Sequence, residues 1–344
     1  MKIKKRLERE LSLYIQDIDK TYCLNKLSPL LFNSIKEFIS RDGKRIRPVL
    51  FCIGSLGFSK KSASGLYRSA LSLELLHDFM LVHDDIIDKS DMRRGKPSMH
   101  SLLSKYLKTG KDVKFSGQDL AIIAGDVMYA MALDAFLAIR EKPGRKEEAL
   151  RKLISAALYT GSGEFIELIL GTKPIEKITK NDIYKIYDYK TANYTFASPL
   201  TMGAILAGAG KNQIKKLFGY GMYLGRAFQI KDDIIGTFSR DKETGKSNLT
   251  DIAEAKKTLL IWHAYNHSDK NRQEIIRKVF SEKNTGNKEL LEIREVIAGS
   301  GSLEFAKKEI KRLVNQAENS IKSLKMRKDS HKALAGFTQK ILSV

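Results

Sequence analysis

Apolar residues recur along this chain at three- and four-residue spacing far more often than at alternate positions. Leu66 to Val82 and Leu150 to Leu170 show the pattern most clearly, and it predicts amphipathic helices. Breaks fall at Arg41-Asp42-Gly43, Lys108-Thr109-Gly110, Lys142-Pro143-Gly144, Gly171 to Pro174 and Lys283 to Asn287, all by composition helix-to-helix connections. Only 6 prolines occur in 344 residues, so long stretches run without a breaker. Alternating β-branched runs with hairpin turns are scarce. The expected architecture is all-α, a single domain over residues 1–344. The glycine-rich stretch Pro199 to Gly210 reads as a tightly packed buried helix, and Ser302 to Ser330 as a packed outer helix. We expect no membrane span, because no uninterrupted run of about 18 apolar residues is visible; peripheral membrane association stays open.

Composition narrows this little. Hydrophobic residues make up 42% and charged residues 29%, as in soluble globular chains. The net charge of +21 points to an anionic partner or to a solvated lysine-rich surface. The lysines are spread along the chain, which favours the second for most of the charge. No zinc-finger spacing, RNA-binding aromatic motif or recognition helix supports nucleic acid as partner. The 2 cysteines, Cys23 and Cys52, do not make a disulfide scaffold, so a reducing, cytoplasmic setting is expected. Met1 to Glu10 is highly charged and lacks an apolar signal core.

Candidate chemistry changes the picture more. His83-Asp84-Asp85-Ile86-Ile87-Asp88 is followed by Arg93-Arg94-Gly95. On a helix, Asp84 and Asp88 share a face one turn apart and repel, which a divalent cation with hard oxygen ligands such as Mg²⁺ would relieve. A second acidic pair, Asp232-Asp233, follows Gln229 in a helix-like context. Together they suggest one site from two helices, with carboxylates holding metals, metals holding phosphate oxygens, and cations holding the rest. Gly43-Lys44-Arg45-Ile46-Arg47-Pro48 is a basic cluster suited to a diphosphate. His77 lies about two helical turns before Asp84, on the same face.

In this order, GKRxRP, DDxxD with RRG, Lys190-Thr191, FQxxDD, Gly245-Lys246 and Lys256, the chain resembles the trans-isoprenyl diphosphate synthases, the polyprenyl synthetase family. The motifs cover residues from about 40 to 260; the flanks carry none. The resemblance implies a bundle of roughly a dozen helices around a deep central cavity with both acidic clusters at its mouth, and a homodimer. It implies Mg²⁺ on Asp84 and Asp88 with Asp85 in support, and on Asp232 with Asp233. Lys44, Arg47, His77 and Arg94 would hold isopentenyl diphosphate. Arg93, Lys190, Thr191, Gln229, Lys246 and Lys256 would line the allylic diphosphate side. Lys190, Thr191 and Gln229 are the residues expected nearest the chemistry, with Thr191 and Gln229 offering dipoles to an allylic carbocation.

The sequence departs from the family pattern twice. Gly236 stands where the fuller second motif has a third aspartate, and Asp251 is a candidate replacement ligand. Glu164 and Glu167 stand where Gln and Asp are frequent. Product length in the family is set below the first acidic motif, where Phe79 and Met80 precede Asp84 by about one turn, and a turn rises about 5.4 Å. A bulky Phe79 as floor implies geranylgeranyl diphosphate, with truncation of Phe79 lengthening the product. Farnesyl diphosphate synthase is the alternative product, and a partner subunit of a heteromeric synthase the alternative role. A class I terpene cyclase fits worse, given the basic cluster and the Asp232-Asp233 pair.

Overall fold

The computed structural model describes residues 2–107, 114–238, 256–281 and 287–343. They are helical almost throughout; the only ladder is a two-stranded hairpin. The chain divides into two compact units, residues 1–150 with 202–208, and residues 151–201 with 209–344.

In the first unit, α1 (Lys2–Tyr22) buries Leu7, Leu11, Tyr14, Ile15 and Ile18 along one stripe. The short α2 (Leu24–Leu27) follows, and Ser28 caps α3 (Pro29–Ile39), its hydroxyl accepting from the Leu31 amide, with Pro29 at the first turn. The break at Arg41-Asp42-Gly43 leads into α4 (Ile46–Phe58). The long α5 (Leu66–Ile87) then carries the first acidic motif. It packs lengthwise on α7 (Gly117–Leu137), whose buried face is mostly small: Ala121, Ala124, Gly125, Ala132 and Ala135. Between them run the hairpin β1 (Met92–Arg93) and β2 (Lys96–Pro97) and helix α6 (Met99–Leu107). The hairpin pairs Met92 with Pro97 and Arg93 with Lys96. That leaves a two-residue turn, and both of its residues, Arg94 (φ 54°) and Gly95 (φ 72°), are left-handed. That is the type I′ turn, with positive φ at both central positions, natural for Gly95 and strained for Arg94. Residues 202–208 belong here because Gly203 sits directly on the Phe51 carbonyl, where no side chain fits. The stretch read as a tightly packed buried helix is α10 (Ser198–Leu206), as expected.

The second unit takes α8 (Pro143–Gly171) from residue 151 on, then α9 (Lys180–Ile186), opened by a capping box of Thr179 and Asp182. The backbone next widens into a π-helix, Tyr187–Ala197. It lies on α11 (Lys211–Phe238), which carries the second acidic motif. Gly221 and Gly225 of α11 meet Ala197 and Ala192 backbone to backbone. The other side of α11 packs on α15 (Ser302–Ile321), which buries Ala306, Ile310, Leu313, Val314 and Ala317. Helices α12 (Leu259–Asn266), α13 (Lys270–Ser281), α14 (Asn287–Gly299) and α16 (Lys328–Leu342) complete the unit.

Two expectations need correction. Ser302 to Ser330 is not one outer helix: α15 stops at Ile321, and its apolar stripe makes it the main partner of α11. And α7 and α8 do contain 18-residue windows apolar enough to cross a membrane, with mean hydropathy 1.8 and 1.3. In α7 the small apolar residues form the face that packs on α5, as core helices do. In α8 Ile154, Leu158, Phe165 and Ile169 are exposed instead.

Candidate active site

Helix α5 ends at Ile87 with Asp88 as its C-cap, and no basic residue sits in its last turn. Asp84 and Asp88 therefore stand one turn apart at the negative end of the helix dipole. Both repulsions favour a cation there. Asp85 points the other way: it is fully buried and ion-paired with Arg93. Burial works against the Arg93 charge, but the Asp85 hydrogen bond and the charges of Asp85, Asp84 and Asp88 outweigh it and raise its pKa.

The basic cluster meets the hairpin turn. The Arg94 guanidinium lies beside Gly43, where a Cβ would sit 3.4 Å from its Cζ. Its Nη2 is 3.8 Å from Glu74 and 3.6 Å from Asp78, both buried on α5. Arg45 is not available to a ligand. It is buried, bonded to Glu8 (3.0 Å), Glu74 (2.8 Å) and the carbonyls of Ile39 (3.1 Å) and Arg41 (2.8 Å). Lys44 is exposed and Arg47 half-buried. His77 reports the local potential: burial, then Arg47, Arg94, Arg93 and Arg45, holds its pKa well below 6.5. A lowered imidazole pKa among arginines marks electropositive surroundings suited to a diphosphate. Below it, the Phe79 ring packs edge-on to His83 at 4.7 Å and against Tyr129 of α7 at 5.3 Å. Met80, four residues before Asp84, shares the Asp84–Asp88 stripe, whereas Phe79 turns toward α7.

In the second unit the π-helix brings Thr191 against α11. Thr191 Oγ1 donates to Gln229 Oε1 (2.6 Å), and Gln229 Nε2 donates to Asp233 Oδ1 (2.9 Å). Tyr187, which sequence reasoning missed, donates its hydroxyl proton to Asp233 and accepts from the Leu259 amide (2.9 Å). Asp233, only 4% exposed, is thus held by two protein donors, while Asp232 is half-buried. Lys190 is clamped by Glu164 and by Glu167 at 2.5 Å, the two positions that depart from the family pattern. Lys256 is half-buried; its neighbour Lys257 donates to the last carbonyls of α8, Leu170 (3.0 Å) and Gly171 (2.6 Å). Burial holds the Lys257 pKa down to about 8. Lys246 and Asp251 lie outside the described residues.

Among the described residues no three His, Cys, Asp or Glu side chains converge into a complete metal-ligand set. Mg²⁺ of the substrate-bridged kind takes one or two carboxylates and completes its octahedron with phosphate oxygens and water. In the first unit Asp85 is engaged by Arg93, and in the second Asp233 is engaged by Gln229 and Tyr187.

A profile of the polyprenyl synthetase family matches residues 28–297. A geranylgeranyl diphosphate synthase of Sulfolobus acidocaldarius is 30% identical over 94% of this chain and 94% of its own length. A geranylfarnesyl diphosphate synthase of Aeropyrum pernix is 31% identical over 82% and 83%. The fold matches the geranylgeranyl pyrophosphate synthase of Corynebacterium glutamicum, solved with isoprenyl diphosphate and magnesium, at TM-score 0.90 over 99% and 98% of the two chains, with 24% identity. With the ordered motifs and the all-α isoprenoid synthase fold, these matches make the chain a member of the polyprenyl synthetase family.

Proposed function

We propose that this prenyltransferase condenses isopentenyl diphosphate with allylic diphosphates and stops at geranylgeranyl diphosphate. The observation that carries the reading is Arg94, set beside Gly43 of the basic cluster and against Glu74 and Asp78 of α5, the helix that ends in the Asp84–Asp88 pair. Arg47, Arg94, Lys44 and neutral His77 hold the isopentenyl diphosphate, the guanidiniums by paired N–H donors and the imidazole by a single hydrogen bond. Asp84, Asp88 and Asp232 are the carboxylates that would hold Mg²⁺. When bound, Mg²⁺ supplies charge that stabilises the leaving diphosphate.

The chain's own groups supply the rest. Arg93, set by Asp85, adds positive charge to the allylic diphosphate as its C–O bond breaks. Thr191 donates its hydroxyl hydrogen bond to Gln229, which leaves its oxygen lone pairs as the dipole for the allylic cation. Gln229 cannot turn, because Asp233 fixes its amide. The isopentenyl double bond attacks the cation, and a proton then leaves for the released diphosphate. Lys190, between two glutamates, is held in place rather than left as a mobile cation. Phe79, braced by His83 and Tyr129, and Met80 beneath Asp84 are the candidate floor for a C20 chain.

The exposed stripe Ile154, Leu158, Phe165 and Ile169 of α8 supports pairing of two copies. Cys23 and Cys52 carry no disulfide, in keeping with a cytoplasmic setting. Incubation of labelled isopentenyl diphosphate with dimethylallyl, geranyl or farnesyl diphosphate tests the function. Geranylgeranyl diphosphate from each primer is expected, and no incorporation from any of them overturns it.

A further inference from the structure

Asp78 is an acidic residue that the proposed chemistry does not use. Its side chain is fully buried on α5, and neither carboxylate oxygen has a hydrogen-bond partner among the described residues. Burying a carboxylate without compensation is costly, so its presence calls for a cation. The cation is Arg94, whose Nη2 lies 3.6 Å from Asp78 Oδ1. Glu74, the other carboxylate beside Arg94, is already bonded to Arg45 at 2.8 Å.

Arg94 itself is placed against its preferences. It takes a left-handed backbone, φ 54°, at a turn position that favours glycine or asparagine. Its guanidinium lies flat beside Gly43, and Nη1 is buried with no hydrogen-bond acceptor among the described residues. One edge of the guanidinium therefore faces Asp78 and Glu74. Nη1 on the other edge keeps unused donors, close enough to His77 for Arg94 to help lower its pKa.

We propose that Asp78 is a positioning residue, which draws the Nη2 edge of Arg94 inward so that the Nη1 donors stay aimed at the diphosphate of isopentenyl diphosphate. The inference rests on the reading of Arg94 as a ligand of that substrate. The charged groups acting on Asp78 are Glu74 on its own helix, Arg45 and Arg47 from the start of α4, and Arg94 from the turn. Burial, then Glu74, outweighs Arg94, Arg45 and Arg47 and holds its pKa well above 3.8. The amide isostere keeps the shape of Asp78 and removes its acid group.

The test is steady-state kinetics of Asp78→Asn, Arg94→Ala and the double variant, with each substrate varied in turn. For Asp78→Asn the KM for isopentenyl diphosphate should rise about tenfold, the loss expected of one charge-assisted contact. The KM for the allylic substrate should change far less, which a general loss of packing would not produce. Added to Arg94→Ala, the Asp78→Asn change should have no further effect on that KM. An unchanged KM in Asp78→Asn, or a fully additive double variant, overturns the proposal while leaving Arg94 as a ligand. An Arg94→Ala enzyme with unchanged KM overturns the Arg94 assignment and the proposal with it. Should Asp78→Asn fail to fold, Asp78→Ser is judged by the same criteria.

Discussion

The side chains that orient this site do so through partners far away in sequence. Tyr187 links Asp233 to the Leu259 amide, 72 residues further on. Replacing it with phenylalanine leaves a buried amide unmet and takes one donor from a buried carboxylate. Tyr187→Phe should cost about 1–3 kcal/mol of stability, read as a lower thermal or denaturant midpoint. The acidic motifs and the basic cluster were legible in the sequence because their chemistry is written in adjacent residues. The split within each acidic pair was not. Asp84 and Asp85 look alike in a motif, but helical geometry turns Asp85 about 100° away, into Arg93. Arg45 was just as opaque: it sits in the basic cluster, and its carboxylate partners Glu8 and Glu74 come from α1 and α5.

At the scale of elements, the close approach of the π-helix to α11 sets the Thr191–Gln229–Asp233 line. Gly221 permits that approach, since a Cβ there would overlap Ala197. Gly221→Ala should destabilise the protein by about 1–3 kcal/mol through overpacking and weaken catalysis as Thr191 shifts from Gln229, measured by denaturant melts and kcat. Periodicity gave the helices of this region but not the wider turn of Tyr187–Ala197, because no local residue pattern distinguishes π from α. The packing of α12 on α15 predicts a pH response. His263 of α12 stacks on His267 at 3.9 Å and on Phe305 at 4.2 Å, and shares a hydrogen bond with Ser302 at 3.0 Å. Burial, then His267 and Lys180, holds its pKa down to about 4 from 6.5. Between those values the unfolded chain binds the proton more tightly than the folded one. Stability should therefore fall as pH drops from 6.5 toward 4, by about 1–3 kcal/mol from this group. His263→Asn should flatten that part of the stability–pH curve; an unchanged slope assigns the acid sensitivity elsewhere.

For the whole molecule, the helical class followed from spacing and the scarcity of proline. The division into two compact units did not, because no Gly/Pro-rich linker marks it: residues 202–208 return to the first unit in mid-helix. The exposed α8 stripe was equally hidden, since a helix apolar on more than one side reads as buried core. If that stripe pairs two copies, Leu158→Asp combined with Phe165→Asp should convert a dimer to a monomer in sedimentation. A wild-type monomer would remove the assignment. Product length is the property on which relatives of similar identity differ, geranylgeranyl against geranylfarnesyl. The most direct measurement is therefore a time course of the wild-type enzyme with farnesyl diphosphate and labelled isopentenyl diphosphate, with Mg²⁺ and with EDTA. The account predicts one Mg²⁺-dependent addition, with geranylgeranyl diphosphate accumulating and nothing formed in EDTA. Steady growth past C20, or incorporation indifferent to EDTA, would contradict it.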